Sequence, residues 1–206
     1  MDCMDIMIPA DVSNLKLPDP SLLNHYQMSE ERVLWVDGEV VECSTEFVKK
    51  IMLWNMEDND KSIPVEERKP IKVMLLSPGG DIYVMLAIMN AIRLSKTPVW
   101  TCNVSFAASA ACAILLAGHK RFCFPMSHAM WHSGSAGLVG SMEQVQSASK
   151  HLDCIETEMS KFLLDRTKIS GRLLKKQKDK DWYFDAKEML EYGIVDHIVE
   201  SFDEII

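Results

Sequence analysis

Two short stretches of this 206-residue chain carry residue types that can support nucleophilic chemistry. In "NVSFAASAACAILLAG", residues 103–118, Ser109 stands at the head of an alanine-dense apolar run. Alanine favours helix, so a helix is expected to begin at or near Ser109. That places the hydroxyl at the positive end of a helix dipole and leaves the Ala110 N–H without an intrahelical acceptor. Serine is also the ordinary residue for capping a helix, so the local pattern fits a cap as well as a nucleophile. In "LLSPGGD" an apolar run ends in Pro78-Gly79-Gly80. Glycine lets the main chain turn tightly and bring bare N–H groups close to a ligand, as oxyanion stabilisation requires. An ordinary strand-to-helix turn accounts for the same residues. Neither G-x-G-x-x-G nor G-x-x-x-x-G-K-[ST] is present, so phosphate binding has no motif behind it.

A serine nucleophile needs a base, and histidine is the usual one near neutral pH. His25, His151 and His197 fall in an irregular arm, a helix and a terminal strand, and His119 lies beside Lys120 in a turn. "SHAMWHSG" leaves His128 and His132. Being four apart, they would share one face of a strand, and alternation does not separate them. His132 is favoured because it sits at the strand's end, before Ser133-Gly134, where side chains reach a cleft. The carboxylate that would orient the imidazole is not selectable by spacing from 30 acidic residues.

The elements that must position these groups alternate. Residues 1 to about 30 hold Pro9, Pro18 and Pro20 without a sustained period and read as an irregular arm. "RVLWVDGEV" is β-rich, "STEFVKKIMLWNME" an amphipathic helix, "IKVMLLS" a buried strand, and "DIYVMLAIMNAIRLS" a helix that Asp81 would cap. "TPVWTCN" is a strand, with Asn103 and Ser105 marking the turn after it, and "KRFCFPMSHAMWH" is a strand region around Pro125. "SMEQ" opens a helix through a capping box, Ser141 to Gln144. Val145, Leu152, Ile155, Met159 and Phe162 then put an apolar stripe along that helix to about Lys168. "DAKEMLEYG" is a last short helix and "IVDHIVE" a closing strand. This alternation implies an α/β fold with largely parallel strands and right-handed crossovers.

Composition narrows the function. The length suits one domain with a continuous core. A formal charge of −8 and a pI near 5.3 argue against a general nucleic-acid binder. The lysines at 175, 176, 178 and 180 read as a solvated face. Six cysteines without a C-x-x-C pair, several in apolar runs, read as small buried hydrophobes in a reducing compartment. The start "MDCMDIMIPAD" has neither the pattern of a secretory signal nor that of a transit peptide. The apolar run after Ser109 is shorter than the roughly 20 residues a membrane span needs. A cytoplasmic protein without membrane contact is expected.

Taken in order and spacing, "LLSPGGD", "FAASAACAILLAGHKRFCFP", "HAMWHSG" and "DAKEMLEYGIVD" resemble the proteolytic subunit of the Clp protease, the ClpP family, over about residues 31–200. The resemblance implies a crotonase-like spiral of βαβ units forming one domain over residues 31–206. A protruding handle of strand plus long helix, about residues 133–168, is implied with it. It implies Ser109 as nucleophile, His132 as base, and Asp181, rather than Asp179 or Asp185, as the orienting carboxylate. The N–H groups of Gly80 and Ala110 would form the oxyanion hole. It further implies hydrolysis of unfolded polypeptides or short peptides inside heptameric rings, stacked as a tetradecamer and fed by an AAA+ ATPase unfoldase. Neither cofactor nor metal is implied.

The chain departs from the family pattern at four places: Ala110-Ala111 for Met-Gly, Ser133-Gly134 for Gln-Pro, Lys180 for the arginine before the aspartate, and an amino-terminal arm without the family's usual axial-loop sequence. A non-catalytic ring or scaffold subunit, and an acyl-CoA enzyme of the crotonase type, are the alternative readings. The Ser-His-Asp set argues against both.

Overall fold

A computed structural model of the protein describes residues 20–205. The chain alternates strand and helix: β1 (Val33–Asp37), α2 (Glu46–Asp60), β2 (Ile71–Ser77), α3 (Ile82–Leu94), β3 (Val99–Ala108), α4 (Ala110–Ala117) and β4 (Lys120–Cys123). Then follow β5 (His128–Trp131), α5 (Met142–Arg166), α6 (Gly171–Gln177), β6 (Trp182–Phe184), α7 (Ala186–Glu191) and β7 (His197–Ile198). Helix α1 (Pro20–Glu30) precedes them. The part of the expected irregular arm from Pro20 onward is therefore helical, and residues 1–19 lie outside the described residues. Pro20 suits the first helical position, where no intrahelical donor is needed. The helix lacks a strong apolar stripe, which is why periodicity overlooks it.

Six of the seven strands lie parallel to a neighbour in the order β1-β2-β3-β4-β7, with β5 beside β3, and β6 alone running antiparallel, against β5. Expectation and structure agree on an α/β fold with a dominantly parallel sheet. They differ along β3, which continues through Asn103 and Ser105 to Ala108 instead of turning there. The first half of β3 pairs with β4, ending at Asn103 opposite Cys123, and the second half pairs with β5, starting at Phe106 opposite His128. Asn103 sits fully buried at this fork, and its amide Nδ2 donates to the His128 carbonyl at 2.8 Å. A side chain that bridges diverging strands does the work that a ladder bond would otherwise do. Pro125 accordingly separates two strands, β4 and β5, and does not sit within one.

The main core lies on one sheet face, beneath α2, α3, α4 and α5. Every residue of α4 is buried. Its alanines allow close approach to the sheet, and Ile114, Leu115 and Leu116 each contribute about 1.5–3 kcal/mol by burial. A smaller cluster on the opposite face joins Val33, Met74, Cys102, Phe122, Val199 and Ile205.

The capping box at Ser141 forms as the sequence predicts: Ser141 Oγ accepts from the Gln144 N–H, and Gln144 Oε1 accepts from the Ser141 N–H. Ile155, Met159 and Leu163 bury the later half of α5, while Met142 and the turns after it are largely exposed, so the helix projects. The expected handle strand is not formed: among the described residues no pairing involves residues 133–140. A strand needs an adjacent edge, and among the described residues no strand pairs with that segment.

Buried Cys102, Cys112 and Cys123 behave as apolar residues, with burial pushing their thiols up to about 12, 12 and 11 respectively. Cys43 and Cys154 are exposed. Among the described residues, no helix is long and apolar enough to cross a membrane.

Candidate active site

Strand pairing brings the three predicted side chains together. Strands β3 and β5 run parallel with Ala108 opposite Met130, so the chain leaves the sheet at Ser109 and at His132 on the same side and at nearly the same level. The antiparallel β5–β6 pair has Trp131 opposite Trp182. One step further in that register sets His132 opposite Asp181. The distances follow: Ser109 Oγ lies 2.8 Å from His132 Nε2, and His132 Nδ1 lies 3.3 Å from Asp181 Oδ1. An ionised carboxylate can only accept, so the proton of a neutral imidazole belongs on Nδ1. Nε2 is then left to accept from the serine hydroxyl.

Ser109 takes the N-cap position of α4 but does not cap it. Its backbone adopts φ 54°, ψ −121°, and its side chain makes no bond to the helix start. A non-glycine residue held at positive φ costs about 1–3 kcal/mol and persists only where its surroundings fix it. The Ser109 N–H donates to the Met130 carbonyl at 2.8 Å, and the Ser109 carbonyl accepts from Ala113 at 3.2 Å. These two bonds hold the sharp strand-to-helix turn that aims the hydroxyl at the imidazole.

The glycine pair has a double function that the sequence pattern only half reveals. Gly79, at φ +100°, packs against the serine turn: a Cβ there would lie 2.7 Å from the Ala108 carbonyl oxygen and 2.8 Å from Ser109 Cβ. Gly80, at φ +153°, runs beside Val40, where a Cβ would meet the Val40 carbonyl oxygen at 2.2 Å. Val40 bonds to the Gly79 carbonyl and accepts from the Asp81 N–H, forming a parallel bridge around Gly80. In such a bridge the intervening residue points its own N–H away from the partner strand. Gly80 also lines the cleft, together with Ser109 and Ala110. Nothing in the local sequence pointed to Gly79 as a support for Ser109 or to Val40 as the clamp on Gly80.

His119, His151 and His197 make their contacts elsewhere. His119 Nδ1 accepts from the Val99 N–H at 2.9 Å, and burial followed by the nearby Arg166 charge lowers its pKa. His151 stacks on Tyr83, and His197 contacts Glu204. His128 begins β5 and is exposed. Asp185 caps α7 through a capping box with Glu188. Lys175 and Lys176 occupy the last turn of α6, where cations suit the helix dipole. Among the described residues, no group of His, Cys, Asp or Glu could hold a metal ion.

A family model described as Clp protease matches residues 22–202. The chain is 31% identical over 190 residues to proteolytic subunit 2 of the ATP-dependent Clp protease of Treponema denticola, covering 91% of this chain and 90% of that one. Against proteolytic subunit 1 of Streptomyces avermitilis the identity is 30% over 182 residues, with coverage of 87% and 80%. Against proteolytic subunit 1 of Bacillus cereus it is 28% over 197 residues, with coverage of 94% and 98%. With nearly the whole chain matched and the sheet, glycine turn and serine turn built as described, the chain belongs to the Clp protease family, as a divergent member.

Proposed function

We propose that the protein is a serine endopeptidase that hydrolyses peptide bonds of unfolded or short polypeptides. The observation that carries this reading is the 2.8 Å contact between Ser109 Oγ and His132 Nε2, backed by Asp181 at 3.3 Å. In the proposed reaction Ser109 Oγ attacks the peptide carbonyl while His132 Nε2 takes its proton. The imidazolium, held by Asp181 through Nδ1–H, then gives that proton to the leaving amine. Water attacks the resulting ester with His132 again as base, and Ser109 is restored. The negative oxygen formed in each half falls to the N–H groups of Gly80 and Ala110, as donors preset by backbone geometry. Ala110-Ala111, where the family has larger or more flexible residues, changes side chains around this oxygen but keeps the backbone donor.

The relatives' names, proteolytic subunits of an ATP-dependent protease, support a partner ATPase that delivers unfolded chains. The exposed first half of α5 and the extended segment before it supply surface for assembly into rings. Peptide hydrolysis by the wild type and by Ser109→Ala, measured on material whose native mass is determined in the same buffer, tests both parts. Turnover lost in the variant, with assembly retained, is the expected result. Equal turnover in both proteins would defeat the peptidase reading.

A further inference from the structure

The cleft that opens beside Ser109 measures about 660 Å³ and mixes two chemistries. Its apolar walls include Ile82 and Met85 of α3, Ala113 of α4 and Met159 of α5. Two carboxylates of α5, Asp153 and Glu156, line the same cleft. Residues three apart on a helix are neighbours on its surface. Ile155 and Met159, buried in the core, fix the rotation of α5 and so hold the carboxylates at the cleft. Asp153 is exposed and Glu156 half-buried. Among the described residues Glu156 accepts one hydrogen bond, from the Gly134 N–H at 3.3 Å. A carboxylate has about four acceptor sites, so Glu156 keeps sites open to solvent or to a ligand.

The other charges near this space are of both signs: Lys175 and Lys178 line an adjoining cleft that Glu156 also borders, and no ion pair among the described residues joins either lysine to Glu156. Asp81 adds negative charge at the head of α3, with its Oδ1 engaged by the Tyr83 and Val84 N–H groups. Lys178 is the only lysine or arginine among the lining residues, and among the described residues no ion pair joins it to Glu156 or Asp153. Apolar walls with a half-exposed carboxylate at the rim suit a side chain that has an aliphatic stem and a cationic tip. A purely aliphatic side chain would bury that carboxylate against carbon and lose solvation without compensation.

We propose that Glu156, assisted by Asp153, makes this cleft select peptides that present lysine or arginine as the residue whose carbonyl Ser109 attacks. This inference rests on the peptidase reading above. Short fluorogenic peptides that differ only at that residue, lysine against norleucine, isolate the charge because the stems match. The expected kcat/KM ratio of lysine to norleucine exceeds one in the wild type and falls about five- to tenfold in Glu156→Gln, the worth of one partly screened charge pair. Raising salt should lower the wild-type ratio more than that of the variant. Asp153→Asn, on the exposed side of the helix, gives a smaller fall in the same direction and serves if Glu156→Gln folds poorly. A wild-type ratio at or below one, or a ratio unmoved by both substitutions, overturns the inference. If Ser109 reacts with a fluorophosphonate and the norleucine peptide is cleaved in that case, only the specificity has failed. Protein that neither reacts nor cleaves either peptide overturns the peptidase reading and this inference with it.

Discussion

Ser109 and Ser141 both stand at the N-cap of a helix, yet only Ser141 uses its side chain there. Ser141 has extended backbone, φ −64°, ψ 163°, and its hydroxyl accepts from the Gln144 N–H in a capping box. Ser109 has φ 54°, ψ −121° and no cap bond, and its hydroxyl points to His132. The sharp turn after β3 swings the Ser109 side chain off the helix axis, and Gly79 leaves the room for it. The same residue type in the same helix position therefore caps the helix in one place and is held at positive φ against a histidine in the other. Residue type alone does not distinguish the two uses; backbone angle and the neighbour across the sheet do.

Substitutions can break this contrast. The largest expected effect is that of Ser109→Ala: peptide hydrolysis falls by about 10⁴-fold or more, while thermal stability changes little because no cap bond is lost. Steady-state kinetics and calorimetry on one preparation check both halves. Asp181→Asn should come next, with kcat/KM down about 10³-fold, because an amide no longer enforces the Nδ1–H tautomer. Gly79→Ala should cost about 10²-fold in kcat. The added Cβ meets Ala108, Ser109 and Ala110 at under 3 Å and displaces the serine turn, and near-UV circular dichroism would establish that the variant is folded. The smallest effect falls on the other serine. Ser141→Ala should destabilise the first turns of α5 by about 1 kcal/mol, read as faster hydrogen exchange there, with hydrolysis close to that of the wild type.

The contrast also marks where sequence is legible. Helix starts with ordinary caps, at Asp81, Ser141 and Asp185, are local events: a side chain bonds a backbone N–H within three residues. The first two could be read from the chain directly. The candidate site is not local. Alternation does not separate His128 from His132; the place of His132 at the strand's end favours it, and the fork in β3 brings that end beside Ser109. Asp181 was reached through family resemblance and not through spacing, because its position depends on a β5–β6 register set by residues about fifty apart. Asn103 misled for a related reason: a polar residue that marks turns on the surface here fills a buried fork. The helix at Pro20–Glu30 has too little apolar pattern to be read from the chain, and the segment 133–140 pairs with no strand among the described residues.

The most direct test of the contrast is covalent. Treating the folded wild-type protein with a fluorophosphonate and mapping the adduct by mass spectrometry asks which serine is activated. The expected result is one adduct per chain, on Ser109, lost in Ser109→Ala and never found on Ser141. A folded wild-type protein that takes no adduct, or an adduct that persists in Ser109→Ala, would contradict the assignment of Ser109 as nucleophile.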